Sequence, residues 1–410
     1  MNLSIKYTRW LLTIVGIWPV IKKDSTSKDK ILAFFIKLMW FCILSFGIIP
    51  GMYFMFFRKA TTAQDRMAVV GPIGFWTMVS MKYSLMVYRQ QAIKKCIEHI
   101  ETDWLRIKDE REYDVVFKNF LISRKLTLIC AWFIYSGGLG FHTVVPFVLG
   151  NAYTTKRPDR PLVFPGYEDA FDVHATPIYH LVFFSHCAGA FVIYTVTIIG
   201  CNLAASFVTH ACSQLQIVMM KLNGLVVDNY KEDTQSLQDK LKSIVWNHVR
   251  VQRYAGDIEN VLRGICLVEI FTSIIVICYV EWSLLKTWNE SETVGIIVFI
   301  ILLISLTFNI FVFCHIGELL KEQVVKKIFF DIFRTIIQYS QWSDAGEAAY
   351  LVEWYRLSPK IATAMVLIIA TAQVPKKITA GGVMELTYAS FTSVMKSSVV
   401  YLNILRQMNL

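Results

Sequence analysis

The sequence predicts an all-α polytopic membrane protein of seven transmembrane helices, with its N-terminus cytoplasmic and its C-terminus extracellular. Three observations carry this. Hydrophobic residues make up 55% of the 410 and the mean hydropathy is +0.47, which excludes a soluble globular class. Apolar runs longer than about 18 residues recur along the chain, the length needed to cross about 30 Å of hydrocarbon. The 41 Lys and Arg residues lie mostly in the gaps between those runs, where charges set membrane topology. For the same reason the net charge of +10 points to topology, and nucleic acid is not an expected partner.

The early stretch 9–20 resembles the apolar core of a signal peptide. Pro19 and the Lys22-Lys23 pair close it with no small-residue cleavage site, so an uncleaved helix at the membrane interface is expected. The seven spans follow at 31–57, 67–88, 126–149, 178–203, 262–285, 296–320 and 384–405. A further apolar stretch, 361–374, is too short to span and ends at Pro375, so a buried or interfacial helix is expected there. Counting Lys and Arg on alternate sides gives 29 on the N-terminal side and 8 on the other, which orients the chain. This direction disfavours a seven-span receptor signalling through a G protein, whose N-terminus is outside. Such a receptor's Asp-Arg-Tyr and Asn-Pro-x-x-Tyr motifs are also missing. Asn289-Glu290-Ser291 is a glycosylation sequon in a loop expected outside. The nine cysteines fall in spans or cytoplasmic segments, so no disulfide framework is expected.

No His-Glu-x-x-His, Gly-x-Ser-x-Gly or phosphate-loop motif is present, so the sequence supports neither an enzyme nor a cofactor. The eight histidines are scattered. His174, His180 and His186 recur every six residues, a step that turns each to a different helical face, so no metal is expected. Polar residues within spans are more informative, because ionisable groups in a bilayer face protein or water. Lys37 and Lys82 lie towards cytoplasmic helix ends and are expected to snorkel. Glu269 and Lys396 sit deeper. In the last span Ser393, Ser397, Val400, Ile404 and Gln407 recur at alternating steps of four and three, with Lys396 and Asn403 beside them. That stripe is too polar for lipid, and its spacing leaves two readings open: packing on neighbouring helices, or lining a water-filled pore.

Several ordered stretches resemble the insect odorant receptor family: GIWP at 16–19, the loop 164–186, CHIGELLKEQ at 314–323, VEWYRLSPK at 352–360, TAQVPKKITAGG at 371–382, and a Tyr-x5-Gln ending formed by Tyr401 and Gln407. The segment 326–344 is longer than the family pattern allows. The resemblance implies an odorant-gated, non-selective cation channel in the plasma membrane of sensory neurons. It also implies a heterotetramer with the olfactory co-receptor; the compact segment 209–261 is similar to that of an odour-specific tuning subunit. It divides the chain into a ligand-binding region 1–320, a cytoplasmic anchor 321–383 and a pore-lining span 384–410. It places a hydrophobic gate on Ile404 and a polar ring on Gln407, with Ser393, Lys396, Ser397 and Val400 along the pore. A small volatile ligand would lie in the outer halves of spans two, three, four and six. The lining candidates there are Phe75, Trp76, Met78, Tyr135, Gly138, His142, Tyr179, Phe183, His186, Phe299, Leu303 and Thr307. A gustatory-type channel and a non-channel G-protein-linked receptor are the alternatives.

Overall fold

The computed structural model of the protein describes residues 5–58, 63–148, 160, 162–167, 170–173, 175–228, 234–322 and 377–407. Helices dominate them. In chain order these are α1 (Lys6–Ile14), α2 (Trp18–Ile21), α3 (Ser27–Phe57), α4 (Ala63–Tyr88), α5 (Gln90–Arg106), α6 (Glu110–Thr143), α7 (Val145–Val148), α8 (Ile178–Asp228), α9 (Thr234–Asn289) and α10 (Thr293–Glu322). A two-stranded hairpin, β1 (Thr379–Ala380) and β2 (Met384–Glu385), then leads into α11 (Tyr388–Gln407). Most of the expected cytoplasmic anchor, including 326–344 and 361–374, lies outside the described residues.

The chain is all-α with helices apolar enough to cross a membrane. Among the described residues four pass on length and composition: Ser27–Phe57, Ile178–Lys221, Lys242–Asn289 and Thr293–Lys321. Burial separates their roles. In the most apolar window of α8, 89% of residues are buried, against 17% in α3. α8 is therefore the central post, packed on α6, α9, α10, α3 and α4. α3 turns Phe34, Phe35, Ile49, Phe56 and Phe57 outward. An apolar face that wide is untenable in water and ordinary in lipid. α3 starts at a capping box, Thr26 Oγ1 accepting from Asp29 N at 3.3 Å while Thr26 N donates to Asp29 Oδ2 at 2.9 Å.

Three differences from the sequence reading have physical causes. The region 209–261, read as a compact loop, is largely helix: α8 and α9 run 51 and 56 residues, about 77 and 84 Å at 1.5 Å per residue. Both outlast a bilayer's hydrocarbon by more than twofold. Their extensions carry buried residues at helical spacing, such as Val251, Tyr254, Ile258 and Leu262. The expected interfacial helix is broken at Gly16, whose φ of 71° ends α1 before α2 begins. α1 packs on the bundle, Thr8 Oγ1 donating to Asn202 Oδ1 at 2.7 Å. The last span starts at Tyr388, later than expected, because 379–385 forms the hairpin.

Gly381 and Gly382 turn that hairpin with φ of 66° and 79°, a pair of left-handed conformations that match the twist of a tight hairpin. α9 holds it: Arg263 Nη2 donates to Gly381 O at 3.0 Å, and Thr379 N donates to Glu259 Oε2 at 2.9 Å. The hairpin thereby fixes where α11 begins. α11 buries Val394 and Ser398 and packs Phe391 and Met395 against α9 and α10. The Ser398 hydroxyl lies 3.4 Å from Glu281 Oε1.

Candidate functional site

Helices α4, α6, α8, α9 and α10 line a cavity of about 50 Å³. Its walls are mainly apolar and aromatic, with Phe75, Trp76, Phe141 and Leu302 among them. Two polar networks border it.

The first ties α4, α6 and α8 together. Trp76 Nε1 donates to His142 Nε2 at 3.2 Å. That bond assigns the ring proton to Nδ1, which donates to Tyr194 Oη at 2.7 Å. Tyr194 Oη in turn donates to Gly138 O at 2.9 Å. Every group in this chain is thus partnered inside the protein. Gly138 is required by close approach: a Cβ there would fall on the Tyr194 ring.

The second network lies at the inner end of the cavity. Lys82, fully buried, pairs with Glu269 Oε2, and Asn309 Nδ2 donates to Glu269 Oε1. This overturns the expectation that Lys82 snorkels to the cytoplasm. Burial of a charge is tolerable only with such partners, and Glu269 lies 187 residues away in sequence. Lys37 is half-buried, its Nζ donating to Gln90 Oε1 at 2.9 Å.

Of the twelve lining candidates, the cavity wall contains Phe75, Trp76 and His142. Gly138 stands behind it under Tyr194, and Tyr135 is one layer further out, its hydroxyl 2.8 Å from Thr195 Oγ1. His186 is held by Tyr167 at 2.8 Å on the far side of Trp76. Tyr179 and Phe183 stack on each other with centroids 6.0 Å apart. Phe299 packs edge-on to Phe141 at 6.3 Å, while Met78, Leu303 and Thr307 are half-buried and off the cavity wall. The sequence points to Glu269 only as a deep ionisable residue, and gives no lining role to it, Tyr194, Ser305, Asn309 or the α9 wall from Thr272 to Val280. The outer-half rule omits them because the cavity extends along the bundle as far as Glu269 and Asn309. Asn309 and Ser305, polar residues four apart in a run whose other polar residue is Thr307, were the available signal.

The stripe on α11 faces away from its own bundle. Ser393, Lys396, Val400, Ile404 and Gln407 are exposed and Ser397 is half-buried, as the opposite face packs on α9 and α10. Asn289 is exposed at the end of α9.

A third cluster joins the helix extensions. Asp103 Oδ2 accepts from His210 Nε2 at 3.0 Å and lies 3.2 Å from His99 Nε2, while Arg250 pairs with Oδ1. The ligand atoms of His99, Asp103 and His210 lie within 4.8 Å of one another. The fixed guanidinium on the same carboxylate opposes a metal cation there and makes the group a structural staple between α5, α8 and α9. Burial alone would raise the Asp103 carboxyl. The hydrogen bonds from His210 and His99, with the charge of both rings, outweigh it and hold the carboxyl well below the usual carboxylate range. A depressed folded value means the ionised form contributes stability that is complete above about pH 3.8 and lost as pH falls further. Asp103→Asn is therefore expected to cost about 2 kcal/mol at pH 7. Melting curves of detergent-solubilised protein from pH 7 to pH 3 should show the wild-type advantage shrinking towards the acid end.

A helical bundle with lipid-facing apolar helices and a mainly apolar cavity among them defines a polytopic membrane protein whose interior suits small apolar molecules. The chain belongs to the 7tm odorant receptor family, whose sequence pattern matches residues 63–326 and 339–399. Odorant receptor 13a of Drosophila melanogaster is 22% identical over 420 residues, spanning 96% of this chain and 93% of that one. Odorant receptor 85b of the same species is 20% identical over 438 residues, spanning 100% and 99%. The olfactory receptor OR5 from Machilis hrabei in complex with eugenol superposes with a TM-score of 0.74 at 13% identity, covering 99% of both chains. At that identity the likeness establishes a shared fold.

Proposed function

We propose that the protein is an odorant-gated, non-selective cation channel subunit of seven spans with a cytoplasmic N-terminus, resident in the plasma membrane of sensory neurons. It assembles with the olfactory co-receptor as a heterotetramer. A small volatile ligand enters the cavity among α4, α6, α8, α9 and α10, and α11 lines the pore. The observation that carries this reading is the α11 stripe. Lys396 and Gln407 face outward on a helix whose opposite face is packed. A lysine facing lipid at mid-membrane costs about 3 kcal/mol, whereas copies facing one another across water do not incur that cost. Family membership supports the ligand class, and the apolar walls suit a neutral volatile over an ion.

The test is co-expression with the co-receptor and recording under a panel of volatiles. Current that depends on both subunits is expected; silence despite surface staining contradicts the reading. Staining of an N-terminal epitope on intact cells would reverse the proposed direction. Ile404→Ala is expected to raise the current before any ligand is added, since an apolar ring closes a narrow pore by dewetting. An unchanged resting current in well-expressed protein removes Ile404 from the gate.

A further inference from the structure

We propose that this receptor selects neutral hydrogen-bond donors, alcohols or phenols, and that Asn309 Oδ1 is the atom that reads the ligand hydroxyl. The inference rests on the cavity being the ligand site. Asn309 is 2% exposed and lines the cavity. Its orientation is settled chemically: Glu269 Oε1 can only accept, so the amide nitrogen faces it and Oδ1 points the other way. Oδ1 has no protein partner. Among the described residues it is the one buried side-chain polar atom on the cavity wall in that condition. The neighbouring polar groups are already committed. His142, Tyr194 and Trp76 bond one another, Ser305 Oγ lies 2.7 Å from both Phe133 O and Ile301 O, Thr272 donates to Val268 O, and Thr197 to Ile193 O. Asn309 on the cavity wall thus carries a buried acceptor with no partner, reachable by a ligand that shifts the side chains packed over it.

The ion pair decides the charge of the ligand. Lys82 and Glu269 neutralise each other at the cavity's inner end, so an ammonium or carboxylate entering as a third charge would have no counter-ion and a large desolvation cost. A hydroxyl brings one donor and no charge. It would donate to Oδ1 while its carbon skeleton rests on Trp76, Phe75 and Phe141. A methyl ether of the same skeleton cannot donate and leaves the buried acceptor unpaired. An orphaned buried acceptor costs about 1–3 kcal/mol, so the hydroxyl ligand should be favoured by about tenfold or more.

The experiment uses matched pairs, each an alcohol or phenol and its methyl ether, on the full-length receptor. Binding is read by the ligand-induced rise in melting temperature of the solubilised protein, and activation by current with the co-receptor. The expected result is a concentration for half-effect about tenfold lower for the hydroxyl member, a difference abolished in Asn309→Leu with the ether's own value little changed. Equal potency across the pairs in wild-type protein overturns the proposal, as does a hydroxyl preference that survives Asn309→Leu. If Asn309→Leu fails to reach the membrane, Asn309→Gln, which carries the amide deeper into the cavity, should still alter the alcohol-to-ether ratio. Melting shifts without current would sink the channel reading and leave the hydroxyl preference measured on its own. Shifts unchanged by a cavity-filling Ser305→Phe would instead remove the ligand from this cavity and overturn both.

Discussion

Replacing Lys82 with Met is expected to lower stability by about 3–5 kcal/mol and sharply reduce the protein reaching the cell surface. That is the usual cost of stranding one member of a buried ion pair. Glu269 would keep only its hydrogen bond from Asn309. Glu269→Leu should be as damaging, because Lys82 is fully buried with no route to water. The double variant Lys82→Met/Glu269→Leu removes both charges and should recover most of the loss, since apolar replacement of a whole pair is often neutral or stabilising. Surface labelling and melting temperatures of the three variants measure the coupling directly. Additive losses would show that the two groups do not depend on each other.

Gly138→Ala is expected to abolish the response to volatiles while costing about 1–3 kcal/mol of stability, the range for overpacking a tight interior. The added methyl would fall on the Tyr194 ring. Tyr194 cannot simply retreat, because its hydroxyl is bonded to Gly138 O and to His142 Nδ1. The ring must turn into the cavity or drag His142 and Trp76 with it. Shortening the ring's side chain in Gly138→Ala/Tyr194→Leu should restore much of the stability without restoring the wild-type ligand profile. A Gly138→Ala receptor with normal melting and normal responses would mean that α6 and α8 separate freely at this point. Between lipid-soluble helices, where burial itself provides little drive, close contacts of this kind carry the association.

The parts of this fold that read cleanly from sequence are those governed by local composition. α3 and α10 are long apolar runs with few interruptions, and the lipid explains them without reference to any other segment. The α11 stripe was also legible, since helical spacing alone aligns Ser393, Ser397, Val400 and Ile404. The helix extensions were misread because basic residues such as Arg250 and Arg253 suggested loop. Yet Val251, Tyr254, Ile258, Val261 and Leu262 repeat at helical intervals inside that segment. Lys82 was misread for a different reason. Its distance from a helix end is written in the sequence, but its partnership with Glu269 depends on how α4 and α9 pack. The cavity is a property of five helices at once, so Trp76 and His142 were reached through the family resemblance, while the polarity of Asn309 in its apolar run did not reveal which wall it joins.

α9 is a party wall. Thr272 and Val276 face the cavity, and Glu281 lies beside Ser398 on α11. α9 and α10 both line the cavity and both pack on α11. Under the proposed function, a ligand would act on α11 through the tilt or rotation of α9. A wall so thin also means that substitutions on its two faces cannot be treated as independent. Residues on the cavity side and on the α11 side of α9 share one backbone, so a substitution on either face constrains the other.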